Sequence, residues 1–322
     1  MHLHPDIAAL RGNRASQQHA QAPVIKASKD WRQSRASQAL ANSLEAYAGG
    51  EDLSGCELLE TLLSDHAAAL QWAREWIAAL IVPLCEEPLG EVPLRSHHSN
   101  GFSTIQLLNH GRARLSLYVC DRHTERPMSD IALWADREST ELLLCGSARG
   151  TLHSIPEIRA DGAEIQTSHY EWRAGERMVL VPEQARQFLA VDETLLVLQL
   201  SRSADRPRPT REYRLSDGAV VKSASGDKQA SRNVMALAVL GAIEHRPALD
   251  VMEDLVNDRR CDSDVRWEAV RQALSLDSTR GLILLNSLEK RACDPLAEPA
   301  RSLRAQLLAA YPQLANLPLE NA

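Results

Sequence analysis

The hydrophobic period changes twice along this chain, and each change marks a change of secondary-structure class. Before about residue 90, apolar residues recur at helical spacing. Leu40, Leu44 and Tyr47 fall at i, i+4 and i+7, and Gly49-Gly50 closes that segment. Leu58, Leu59, Leu62 and Leu63 form a second face, and Ala69, Trp72, Ala73, Trp76, Ile77 and Leu80 a third. From Val92 to about Gly226 the period is two: Ala113, Leu115, Leu117 and Val119 alternate with Arg114, Ser116 and Tyr118. From Ser231 the period returns to 3.6. The pattern predicts an α+β multidomain chain: residues 1–90 a polar leader and helical segment, 91–226 an antiparallel β-domain, and 227–322 a helical domain.

Within the β-domain, His110-Gly111 reads as a hairpin turn. Strands are expected at 131–134, 140–145, 150–155, 164–172, 178–181, 187–191 and 195–200, with a last hairpin around Asp217-Gly218. Short strands at this spacing suggest a sandwich or a barrel. Helices are expected at 231–244, 247–257, 263–276, 279–293 and 297–310, joined by short loops that make neighbours antiparallel. Residues 1–30, broken by Pro5, Gly12 and Pro23, read as a loosely ordered leader.

Composition narrows the class further. With 44% apolar and 25% charged residues, the chain is neither disordered nor a coiled coil. A net charge of −7 argues against wholesale binding to a phosphate backbone. No apolar run approaches the ~18–20 residues of a membrane span, and the N-terminus has no apolar signal-peptide core. Six scattered cysteines without a C-x-x-C pair suggest reduced thiols and a cytoplasmic protein.

Two family resemblances follow. Asp264-Val265-Arg266-Trp267-Glu268-Ala269-Val270-Arg271-Gln272-Ala273-Leu274 resembles the second helix of a HEAT-type repeat. Arg232, Arg266 and Arg301, spaced 34 and 35 residues apart, fit the period of stacked helix pairs. The resemblance implies that Val, Ala and Leu pack between helices and that the Arg pairs with a nearby acid. The β-domain resembles a cupin, closest in layout to the thiol-dioxygenase type. Its second motif stands as Trp172-Arg173-Ala174-Gly175-Glu176-Arg177-Met178-Val179-Leu180-Val181-Pro182. Its first stands as Arg126-Pro127-Met128-Ser129-Asp130-Ile131, followed by Glu141-Leu142-Leu143-Leu144-Cys145-Gly146. A metal-binding cupin carries His where this chain has Ser129 and Ile131, and another His where it has Arg186 and Gln187. A facial Fe(II) site needs imidazole or carboxylate ligands, so the resemblance implies a barrel that has lost its metal.

The sequence holds no G-x-S-x-G elbow, no P-loop, and no carboxylate pair that stands out from solvated loop charge. The basic run Arg202, Arg206, Arg208, Arg211 and Arg214, which spans the polar 201–211 connection and the start of the last hairpin, forms a strip able to dock an acidic peptide or phosphate. Trp267, beside Arg266, is of a residue type that anchors interfaces. The expected function is therefore non-catalytic recognition of a peptide or partner protein, without a cofactor, in a groove between barrel and helical repeat. Arg206, Arg208, Arg211, Arg266 and Trp267 are its candidate binding residues. Pairing through sheet edges would make a homodimer. Two alternatives stay open: a cupin-type Fe(II) dioxygenase or hydroxylase using displaced ligands His98, His153 and His169, and a metal-free small-molecule sensor with an apolar barrel interior.

Overall fold

The computed structural model describes residues 12–99, 101–123, 129–158 and 162–316. The chain forms two compact units, one running through Asp205 with Glu212–Val221 added, the other holding Arg206–Arg211 and the chain from Lys222 onward.

Among the described residues the first unit opens with four α-helices: α1 (Arg14–Gln33), α2 (Arg35–Gly49), α3 (Glu57–Ser64) and α4 (His66–Glu86). Helix α1 occupies much of the stretch whose composition reads as a loose leader, which corrects that expectation; residues 1–11 lie outside the described part. The Asn13 side chain caps it, accepting from the Ala15 and Ser16 amides. Its inner face is Ala20, Val24 and Ser28, ending at Trp31, whose ring meets Trp72 and Trp76 edge-on at 6.0 and 6.4 Å. This stripe is built of small residues and interrupted by Pro23, so hydrophobic patterning alone does not reveal it. Helix α2 starts at the Ser34 cap and stops at Gly50, whose φ of 114° is a left-handed conformation that glycine adopts without strain.

Twelve strands follow among the described residues: β1 (Ser96–Ser99), β2 (Phe102–His110), β3 (Ala113–Cys120), β4 (Ile131–Trp134), β5 (Arg137–Cys145), β6 (Ser147–Ile158), β7 (Ala163–Arg173), β8 (Arg177–Leu180), β9 (Gln184–Val191), β10 (Leu195–Ser203), β11 (Thr210–Arg214) and β12 (Val220–Ala224). They form one sheet of order β1-β2-β3-β10-β5-β8 and two three-stranded sheets, β7-β6-β9 and β12-β11-β4. The six-stranded sheet and β7-β6-β9 are antiparallel throughout. The β2–β3 hairpin turns at Gly111, with φ +49°, where the sequence places it.

Alternation gives the large sheet two faces of different chemistry. Leu107, Leu115, Leu117, Leu142, Leu144, Leu198 and Leu200 point to one side and share a core with Leu40, Leu44, Leu59, Leu63 and Trp76 of the helices. Each such fully buried leucine contributes about 1.5–3 kcal/mol. The helical segment therefore packs on the sheet. The same strands send Arg114, Ser116, Ser139, Glu141, Gln199 and Ser201 to the other face.

Among its described residues the second unit has five α-helices: α5 (Lys228–Ala242), α6 (Leu249–Asn257), α7 (Ser263–Leu276), α8 (Ser278–Glu289) and α9 (Ala297–Ala310). Asp227, Asp262 and Asp277 cap α5, α7 and α8. A core of Leu249, Met252, Val256, Val265, Ala269, Val270, Leu282, Leu285 and Leu288 joins them. Gly281 lets α8 approach α7: a Cβ there would lie 2.5 Å from Leu274 Cα. The three arginines of the proposed repeat do not share an environment. Arg266 is 2% exposed and bidentate to Asp294, Arg301 is a surface residue paired with Glu298, and Arg232 is exposed. Among the described residues no helix is long and apolar enough to cross a membrane.

Candidate functional site

The polar face of the large sheet lines a pocket of about 530 Å³, within the size range of small-molecule sites. Strand register arranges its wall in rows. Gln106, Ser116, Gln199 and Glu141 stand opposite one another across β2, β3, β10 and β5. Arg114, Ser201 and Ser139 form the next row. The rest of the lining comes from Ile131, Leu133 and Ala135 of β4 and its end, Leu180 and Val181 at the end of β8, the edge strand of the same large sheet, and Gln184 and Arg186 of β9.

One part of the pocket is a closed ionic network. Glu141 is 1% exposed and faces Arg186 at 2.6 Å. Glu141 also accepts from the Tyr118 hydroxyl at 3.1 Å and from the Gln199 amide at 2.5 Å. Arg186 in turn donates to the Tyr118 hydroxyl. Its guanidinium carbon lies 4.7 Å from the ring centres of both Trp172 and Phe188, and 5.5 Å from that of Tyr118. Burial pulls the Arg186 pKa down, but Glu141 and the two tyrosines raise it further, so the side chain stays a cation. Burial pushes Tyr118 well above the ordinary phenol range, and Tyr170 up to about 12. Neither tyrosine ionises at neutral pH. Tyr170 packs over the backbone of β6, where a Cβ at Gly150 would meet its hydroxyl at 2.5 Å.

A second region of the same pocket is open in chemistry. Arg95, Arg114 and Arg137 line it, and none of the three has a carboxylate partner among the described residues. Burial lowers the Arg114 pKa, and the charges of Arg137 and Arg95 lower it further. The hydroxyls of Ser116, Ser139 and Ser201 belong to buried residues yet make no hydrogen bond within the described protein. The site therefore holds one satisfied acid–base pair and a separate group of donors and cations without acceptors.

The histidines of the iron alternative do not meet. His98 is exposed on β1, hydrogen-bonded to Ser103 Oγ at 2.9 Å. His153 is 1% exposed, held between the Thr151 and Thr167 hydroxyls at 3.0 and 2.9 Å. His169 is exposed on β7. Among the described residues no three His, Cys, Asp or Glu side chains come together as metal ligands. At the positions where a metal-binding cupin carries His, the Gln187 amide donates to the Ser129 and Ile131 carbonyls, and Arg186 is bound to Glu141. Among the described residues the pocket lining offers one imidazole, His97, and one carboxylate, Glu141, which is already neutralised. This donor set does not fit Fe(II). Residues 124–128, which include the start of the first cupin-like motif, lie outside the described part.

The proposed docking residues are distributed as follows. Arg206 and Arg208 are exposed in the connection, and Arg211 is half-buried on β11. Trp267 packs part-buried against the helical core. Arg266 is interior: its guanidinium binds Asp294 at 2.7 and 3.1 Å and the Val256 carbonyl at 3.1 Å. It supports the helical unit and presents nothing to a ligand, which corrects its place among the binding residues. Arg202 of the same basic run is also engaged, with Glu138 at 2.6 Å and the Tyr47 ring at 4.1 Å.

No protein-family model matches the chain, and no curated protein matches it by sequence. Partial overlays exist with solved structures. The 7S globulin of Momordica charantia covers 38% of this chain and 35% of its own length, at 16% identity and TM-score 0.28. Oxalate decarboxylase from Bacillus subtilis covers 39% and 31%, at 11% identity and TM-score 0.27. The vicilin from Solanum melongena covers 37% and 32%, at 12% identity and TM-score 0.29. The overlays span about a third of those chains. Such partial likeness to cupin-fold proteins carries no argument about ligand or chemistry.

Proposed function

We propose that the β-rich unit is a cupin-like domain that binds a small molecule, without metal and without chemical turnover. The observation that carries this reading is the division of the pocket. Its one buried carboxylate is held by Arg186, Tyr118 and Gln199, so no free base or nucleophile faces the cavity from that region. Elsewhere the cavity presents hydroxyls and arginines that lack partners, which is the surface of a binding site. The interior is polar on the sheet side, so the sensor alternative is kept with its apolar interior corrected. The peptide-docking alternative retains Arg206, Arg208, Arg211 and Trp267 but loses Arg266.

The test is a thermal-shift screen of the full chain against a metabolite collection. A ligand present at one hundred times its Kd stabilises the folded state by about 2.7 kcal/mol. In a unit of this size that corresponds to about 5–10 °C in Tm. A hit lost on replacing Ser116 and Gln199 supports the reading. A collection that includes sugars, acids and amines and shifts nothing counts against it.

A further inference from the structure

Resting on that pocket reading, we propose that the ligand is an amphipathic organic anion, a carboxylate carrying an extended apolar group. Two features of the cavity point to this class. The first is the arginine group. Arg114 projects from β3 beside Ser201 and Ser139, with Arg137 at the start of β5 and Arg95 just before β1. Three like charges around one cavity repel one another, and the chain elsewhere carries an excess of acids, with 43 Asp and Glu against 36 Lys and Arg. The well-buried arginines Arg186, Arg202 and Arg266 each meet an acid, whereas the half-buried Arg114 meets none among the described residues, and its neighbours Arg95 and Arg137 are exposed. An anion placed among them relieves the repulsion and gains charge-assisted hydrogen bonds, with the Ser139 and Ser201 hydroxyls adding donors.

The second feature is a group of apolar side chains in the same lining. Ile131, Leu133 and Val181 line the same pocket and are 41%, 54% and 42% exposed. Ile131 and Leu133 lie two apart on β4 and so share a face, while Ala132 and Trp134 are buried on the other. Large apolar side chains grouped at the rim of a polar cavity mark a contact surface. A purely ionic ligand such as inorganic phosphate leaves those side chains wet, and a neutral apolar ligand leaves the arginines unpaired. A carboxylate with a chain of several carbons satisfies both groups.

The experiment measures binding of sodium octanoate, sodium acetate, octan-1-ol and inorganic phosphate to the full chain by calorimetry, backed by thermal shift. The inference expects octanoate to bind at least tenfold more tightly than any of the other three. Arg114→Met is expected to weaken octanoate at least tenfold while raising the ligand-free Tm, because it removes a repelled charge. A residue with a purely structural role would not give that pair of effects. Leu133→Ser is expected to weaken octanoate and leave acetate unchanged. Equal binding of octanoate and octanol, or phosphate binding best, overturns the amphipathic-anion inference but leaves the pocket reading standing. Binding of octanoate that is indifferent to Arg114→Met also overturns it. Failure of these probes together with failure of the wider screen removes the pocket reading itself.

Discussion

Replacing Glu141 with alanine removes the acid that holds Arg186 inside the pocket wall. Glu141 accepts from three donors: Arg186 at 2.6 Å, Tyr118 at 3.1 Å and Gln199 at 2.5 Å. Its loss leaves a guanidinium that is 10% exposed, facing Trp172, Phe188 and Tyr118 with no counter-charge. Breaking one side of a buried ion pair costs about 3–5 kcal/mol, because the remaining charge is uncompensated. At ~2–4 °C per kcal/mol for a unit of this size, Tm falls by about 6–20 °C. The double variant Glu141→Leu with Arg186→Met takes away both charges and restores apolar packing against the aromatic rings. It is expected to be more stable than Glu141→Ala by at least ~2 kcal/mol, since the stranded charge is gone. Urea unfolding followed by tryptophan fluorescence measures all the variants. A single variant costing under ~1 kcal/mol, or a double variant costing the sum of its two singles, would show that the network is not what holds this wall together.

Three further outcomes follow from the same structure. Arg266→Met leaves Asp294 buried and unpaired, and is expected to destabilise the helical unit by about 3–5 kcal/mol in calorimetry; near-neutrality would mean Arg266 is not structural. Burial lowers the His153 pKa below its ordinary value, so the unfolded chain binds the proton first. Its contribution to stability is complete above about pH 6.5 and is lost as pH falls toward the depressed value. His153→Gln is expected to flatten the stability–pH slope between about pH 7 and 5, and an unchanged slope would refute this. Arg266 holds the Asp294 carboxyl below its ordinary range. That contribution is complete above the unfolded carboxylate pKa of about 3.9 and is lost as pH falls below it. Arg266→Met should therefore lose less stability than the parent on acidification below pH ~4, as read by urea titration.

Element type was legible where one face is strongly apolar. The run Ala113–Val119 reads as a strand from its alternation, and the helices from 263 to 276 and 297 to 310 fall where their period places them. Helix α1 was not legible, because its buried face is Ala20, Val24 and Ser28 and Pro23 sits within it. The pocket was hidden for a different reason. Arg114 and Ser116 look like the solvent face of a half-buried strand. Only strand order shows that β10 and β5 place Gln199, Ser201, Ser139 and Glu141 beside them, so that polar residues gather around one cavity. Arg186 stood in the second cupin-like motif as a departure from histidine, and its replacement of a ligand by a cation was readable. Its partner Glu141 lies 45 residues away and was not. Nor was Asp294, 28 residues from Arg266, although the HEAT resemblance implied some acid there.

Metal content tests the central claim most directly. The full chain, incubated anaerobically with excess Fe(II) and then desalted, is analysed by elemental mass spectrometry beside Glu141→Gln and His97→Ala variants. The account predicts well under one equivalent of iron per chain, with no difference among the three proteins. About one equivalent in the parent chain, lost in either variant, would contradict it and place a metal where the structure shows an arginine–glutamate pair.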